Sequence, residues 1–190
     1  MTNESFPVVC LGGSAGAVEA IRGLLRALPP EPGLSVVVIQ HRRGPSVLPE
    51  VLAASTTMIV QLIVEGMLLE RDRVYVIPPN CELSISGTVF HIRSVSKARG
   101  WPNVITIFLE SLARSWKSKA IAFILSGLDS DGAAALQAVK SAGGTTFAQK
   151  KETPKFPDMP ISAIKTGNVD FELSITEIAQ ELTRIGRAGF

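Results

Sequence analysis

Three residues of this chain have the types from which an acyl-transfer site is built: Ser14, His41 and Asp131. Ser14 stands in the glycine-flanked turn Gly12-Gly13-Ser14-Ala15-Gly16. A serine hydroxyl is a weak nucleophile at neutral pH until a base takes its proton, and imidazole is the usual base. The chain holds two histidines, and His41 ends the apolar run Val36-Val37-Val38-Ile39-Gln40. The third member of such a set is an acid that orients the imidazole. Asp131 lies in Ser126-Gly127-Leu128-Asp129-Ser130-Asp131-Gly132, after another apolar run, and Asp129 competes with it for that role.

Strand ends must deliver these side chains, and the chain has the pattern for it. Apolar runs alternate with helical periodicity from end to end, which predicts an α/β fold with a mostly parallel sheet. Strands are predicted at Pro7 to Leu11, Leu34 to Gln40, Ile59 to Val64, Val74 to Asn80, Ala120 to Leu125, Thr145 to Gln149 and Val169 to Leu173. Helices are predicted at Ala17 to Leu28, Val47 to Ala54, Val104 to Trp116, Asp131 to Ala142, Ile161 to Thr166 and Ile175 to Ile185. Glu82 to Ser86 and Val89 to Arg93, joined at Gly87-Thr88, read as an antiparallel hairpin. Ser14, His41 and Asp131 then all follow strand carboxyl ends, the edge where open parallel sheets bind ligands. The helix starting just after Ser14 brings unpaired N–H groups and a positive dipole end to the nucleophile, where an oxyanion would form.

Taken singly, each residue has an ordinary explanation. The glycines suit a tight turn, His41 suits a polar strand end, and Asp131 suits the N-cap of the following helix. His91 alternates with Phe90 and Ile92 and reads as an outward-facing strand residue. The turn is not a dinucleotide site, because its glycines do not follow G-x-G-x-x-G and no acidic residue ends the second strand. It is convergence at one sheet edge that favours catalysis.

Composition narrows the classes further. With 190 residues and 46% apolar content, the chain is expected to form one domain over residues 1–190. A net charge of +2, with no basic run interleaved with aromatics, gives no indication of a nucleic-acid partner. No basic leader or long apolar segment is present, so membrane insertion is not expected and a cytoplasmic location is. Cys10, in a strand, and Cys81, in a turn, suit two reduced thiols. Two Cys and two His, widely spaced, offer no metal site, and no cofactor is expected.

Over nearly its whole length the chain resembles the catalytic domain of the chemotaxis protein-glutamate methylesterase family (CheB type). The matching segments are the Ser14 turn with its helix, Gln40-His41, Val76-Ile77-Pro78-Pro79-Asn80, Leu125 through Gly132, Ala142-Gly143-Gly144, Phe147-Ala148-Gln149, and Met159-Pro160 with Ser162-Ala163-Ile164. The resemblance implies a three-layer α/β/α sandwich with about seven strands and a Ser-His-Asp triad. It puts the nucleophile on Ser14, the base on His41 and the acid on Asp131 rather than Asp129, with oxyanion contacts from the backbone N–H groups of Ala15 and Leu128. It further implies hydrolysis of glutamate γ-methyl esters on the cytoplasmic helices of chemoreceptors, with some members also deamidating glutamine.

Three departures from the family accompany the match. Nothing before Phe6 is long enough to be the usual receiver domain, so an open cleft, activity independent of phosphodonors and, at most, a separate regulatory protein are expected. Trp101-Pro102-Asn103-Val104-Ile105-Thr106 replaces the family's usual segment, with Thr106 where an acid is common, which bears on substrate recognition. Leu128 replaces a common methionine. Arg42, Arg43, Lys97 and Arg99 are positioned in sequence to steer acidic helices, or serve as solvated loop charges. Two alternatives stay open on sequence: an esterase or deamidase for another protein, and an inactive esterase-like domain that binds a receptor or partner.

Overall fold

The computed structural model of the protein describes residues 6–40, 47–95 and 103–188. In chain order the elements are β1 (Val8–Gly13), α1 (Ala17–Ala27), β2 (Ser35–Gln40), α2 (Leu48–Ala53), β3 (Ile59–Leu62) and β4 (Arg73–Val76). The hairpin β5 (Cys81–Ser86) and β6 (Val89–Ser94) follows, then α3 (Val104–Trp116), β7 (Ala120–Ile124) and α4 (Leu136–Ser141). β8 (Thr145–Gln149), α5 (Asp158–Lys165), β9 (Phe171–Leu173) and α6 (Ile175–Ala188) close the chain. Seven strands form one sheet in the order β3-β4-β2-β1-β7-β8-β9, and every pairing in it is parallel.

Strand periodicity sorts the core into two layers. On one face Val8, Cys10, Val37, Ile39, Ala122 and Ile124 pack with α3, α4, α5 and the hairpin. On the other, Val9, Leu11, Val36, Val38, Phe123 and Leu125 pack with α1, α2 and α6. The central strands β1 and β2 are buried along their full length, as expected of a parallel sheet covered on both faces. The α/β/α sandwich and its seven strands match the expectation. Among the described residues no helix is long and apolar enough to cross a membrane.

The hairpin braces α3. Leu83, Ile85 and Phe90 are buried against it, Ser111 Oγ accepts the Ile85 N–H at 3.0 Å, and Trp116 Nε1 donates to the Gly87 carbonyl at 3.1 Å. His91 is exposed and bonded to Glu65, in keeping with an outward-facing strand residue.

Several predicted boundaries move for local reasons. β4 ends at Val76 instead of running to Asn80, because Pro78 and Pro79 lack the N–H a ladder needs. α5 begins at Asp158, not Ile161, since the first helical turn accommodates Pro160 without losing a bond. β9 begins at Phe171, not Val169. Cys81 opens β5 instead of lying in a turn, and it and Cys10 are both free thiols. Helix α4 starts at Leu136, five residues after the predicted start at Asp131, for a reason that belongs to the site described below.

Asp170 ties the far edge of the sheet together. It accepts the Thr146 N–H at 3.0 Å and the Thr146 hydroxyl at 2.9 Å, and pairs with Lys140 at 2.7 Å. Burial pushes its carboxyl up, but the bonds from Lys140 and Thr146 outweigh that and hold it below the usual carboxylate range. A depressed folded-state pKa contributes stability above the unfolded value, and that stability is lost as pH falls through the folded one. Asp170→Asn should therefore lower the thermal midpoint near neutral pH, and its deficit should shrink below about pH 4. Thermal melts of both proteins across this range test it; a deficit that does not change with pH would refute the linkage.

Candidate active site

The chain leaves β1 on the β2 side and later returns to pair β7 on the other, so the carboxyl ends of β1 and β7 form the point where strand order reverses. A crevice opens at such a point in doubly wound sheets. Ser14 follows β1 and the loop from Ser126 to Asp131 follows β7. The two are joined directly: the Ser14 N–H donates to the Ser126 carbonyl at 2.9 Å, and Ser126 Oγ donates to the Ala15 carbonyl at 2.8 Å. Ser126 Oγ also accepts the Phe156 N–H at 3.1 Å, drawing the segment before α5 against the same turn.

Gly127 shows how tight this junction is. Its N–H donates to the Phe156 carbonyl at 2.9 Å and its carbonyl accepts the Met159 N–H at 3.1 Å. A Cβ there would lie 1.9 Å from Met159 Sδ and 3.1 Å from Ser14 Cβ. Only glycine lets the loop, the Ser14 turn and Met159 approach this closely.

Asp131 is 7% exposed and its carboxylate is held by another element. Oδ2 accepts the Ile105 N–H at 2.8 Å, while Oδ1 accepts the Thr106 N–H at 2.9 Å and the Thr106 hydroxyl at 2.7 Å. These are first-turn groups of α3, whose own N-cap residue, Asn103, makes no side-chain cap. A carboxylate at a helix amino terminus satisfies orphan donors and meets the positive dipole end. Each such charge-assisted bond is worth about 1.5–3 kcal/mol, against about 0–1 for an exposed pair such as Arg93 with Glu82. Asp131 is thus a fixed part of the site, and the helix it caps is α3 rather than the one that follows it.

The same contacts explain the late start of α4. The Asp131 N–H is taken by Asp129 Oδ1 at 2.9 Å, Gly132 adopts φ +85°, and Ala133 to Leu136 close as short turns. A left-handed residue cannot continue an α-helix, so the helix waits until Leu136. Ile105 packs where side chains at Gly12 and Gly132 would stand: a Cβ on either would come within 2.7 or 2.6 Å of its Cγ2. Glycines on the Ser14 and Asp131 segments therefore let α3 seat its first turn between them. Below, Cys10 is fully buried, and burial together with the charge of Asp131 pushes its thiol far up, leaving it protonated.

Around Ser14 the start of α1 carries backbone donors without a side-chain cap. Gly16, at φ +78°, leads into α1 without any side-chain cap, and the Ala17 N–H turns back to the Ser14 carbonyl at 3.2 Å. Among the described residues, the N–H groups of Ala15 and Leu128 donate to no protein acceptor. The Leu128 side chain is 60% exposed beside this turn. Among the described residues no three His, Cys, Asp or Glu side chains converge as a metal site requires.

Of the predicted site residues, Ser14, Ala15, Leu128 and Asp131 gather at the β1–β7 edge. His41 lies outside the described residues, as do Arg42, Arg43, Lys97, Arg99 and Trp101. Gln40, which precedes His41 in the chain, pairs with Gly13, which precedes Ser14; it is 5% exposed, and its Nε2 has no partner among the described residues. Sequence reading missed Ser126, Gly127 with Met159, and the contact of Thr106 with Asp131. Thr106 stood out only as a departure bearing on substrate recognition, whereas its hydroxyl is bonded to Asp131.

Comparison with known proteins gives the family and the fold. Residues 9–182 match the CheB methylesterase family. A Rhizobium meliloti protein-glutamate methylesterase/protein-glutamine glutaminase is 31% identical over 95% of this chain, and the chain spans 52% of its length. A putative protein of the same description from Leptospira interrogans is 29% identical, with 95% of each covered. The structure of the Thermotoga maritima CheB methylesterase catalytic domain superposes with a TM-score of 0.87 at 29% identity, covering 95% of this chain and 98% of that one.

Proposed function

The chain belongs to the CheB methylesterase family, and from that premise we propose that its 190 residues act as one catalytic domain hydrolysing γ-methyl esters of protein glutamate residues. Ser14 is the nucleophile, His41 the base and Asp131 the acid that orients the imidazole. His41 takes the Ser14 proton as Oγ attacks the ester carbonyl. The tetrahedral oxyanion is held by the N–H groups of Ala15 and Leu128, each such donor being worth about 2.7–4 kcal/mol in the transition state. His41 returns the proton to the departing methoxide, methanol leaves, and water repeats the sequence to free the glutamate carboxylate and Ser14.

The same acyl-enzyme would form from a glutamine side chain with loss of ammonia and be hydrolysed by water to glutamate, which fits the glutaminase activity in the names of the relatives. The substrates are methylated cytoplasmic helices of chemoreceptors, which places the protein in the cytoplasm, with neither nucleic acid nor membrane insertion involved.

One observation carries the reading: the Ser14 turn is hydrogen-bonded to the loop that ends in Asp131, and the Asp131 carboxylate is held by three donors from α3. The test is methanol release from methyl-labelled chemoreceptor cytoplasmic fragments incubated with the purified chain. Catalytic release is expected; release no faster than buffer alone would overturn the proposal.

A further inference from the structure

Thr106 is tied into the site more tightly than a residue at a helix start requires. Its hydroxyl accepts the Gly132 N–H at 2.9 Å and stands 2.7 Å from Asp131 Oδ1. The Gly132 N–H can only donate, so the hydroxyl oxygen accepts there and its single proton is aimed at Asp131. The Thr106 N–H reaches the same Oδ1 at 2.9 Å. One residue therefore supplies two donors to one carboxylate oxygen and fills both of its lone pairs. Oδ2 takes its bond from Ile105 at 2.8 Å.

We propose that Thr106 is a positioning residue for the acid: by giving two donors to Oδ1 it fixes the orientation of the Asp131 carboxylate, and through Gly132 it locks the loop carrying Leu128 to α3. The proposal rests on the Ser14, His41, Asp131 reading. Without the hydroxyl, Oδ1 loses a donor and the carboxylate is held less firmly in the orientation set by α3. The Gly132 N–H loses its partner as well, which loosens the turn at φ +85° between Asp131 and α4. Neither change touches the substrate, so the defect belongs in turnover rather than in binding. β-Branching adds to the effect, because it leaves Thr106 few χ1 choices and keeps the hydroxyl pointed along this line.

The experiment compares Thr106→Val, which keeps the shape, with Thr106→Ser, which keeps the hydroxyl, using methyl-ester hydrolysis on methylated receptor fragments. Thr106→Val should lower kcat roughly 10- to 100-fold with KM within about twofold, while Thr106→Ser stays within about threefold of the parent. Should valine unfold the chain, as judged by circular dichroism, Thr106→Ala makes the same comparison with Thr106→Ser. A valine variant with parental kcat overturns the proposal, as does a serine variant as impaired as valine, or a loss residing in KM. Ser14→Ala and Asp131→Asn in the same assay separate the two levels. If they abolish turnover while Thr106→Val is unaffected, the positioning role alone fails; if they retain turnover, the underlying reading fails.

Discussion

Ser14→Ala should lower ester hydrolysis by roughly four to six orders of magnitude, because the covalent route disappears and only binding and oxyanion stabilisation remain. The fold should survive the change. Ser14 is half-buried, and its structural bond to the Ser126 carbonyl uses the backbone N–H, which alanine keeps. Alanine also retains the Cβ, the atom that faces Gly127. Thermal melts of parent and variant should overlay within a degree or two, while single-turnover assays show no acyl-enzyme. Near-parental hydrolysis by the variant would remove Ser14 from the mechanism.

Asp131→Asn should be nearly as damaging to activity, with a loss of about 10⁴-fold, because an amide cannot hold the imidazole in the required tautomer. Unlike Ser14→Ala, it should also destabilise the fold. The carboxylate accepts from Ile105 on one oxygen and twice from Thr106 on the other. An asparagine must turn its own NH₂ toward one of these donors, leaving buried N–H groups unpaired at a cost of about 1–3 kcal/mol. The paired readout is kcat alongside the denaturation midpoint. A variant that is destabilised but fully active per folded molecule would leave Asp131 with capping as its only role.

The capping of α3 by Asp131 shows where sequence reading reached and where it stopped. Fully buried parallel strands announce themselves as continuous apolar runs, so β1, β2, β7 and β8 were placed within a residue or two. Val104 to Trp116 is helical as expected because its 3.6-residue period is unbroken. The loop after β7 was misread because Asp131-Gly132-Ala133-Ala134-Ala135 has the local form of a capped helix start. The competing partner, the bare first turn of α3, lies 25 or 26 residues away in sequence. Long-range capping leaves no local signature. The same holds for Gly12, Gly127 and Gly132, whose composition says only "turn" while their task is to admit Ile105 and Met159. Ser14 is a candidate on sequence only through its convergence with His41 and Asp131 at one sheet edge; Thr106 has no such company, because a threonine in the first turn of a helix has many ordinary roles.

The proposed nucleophile is tested most directly by a fluorophosphonate, which reacts only with a serine whose hydroxyl is activated. Intact-mass and peptide mass spectrometry of the folded chain should show one adduct, on Ser14, absent from Ser14→Ala and suppressed by prior unfolding. No adduct on the folded parent, or an adduct on another serine that persists in Ser14→Ala, would contradict the assignment.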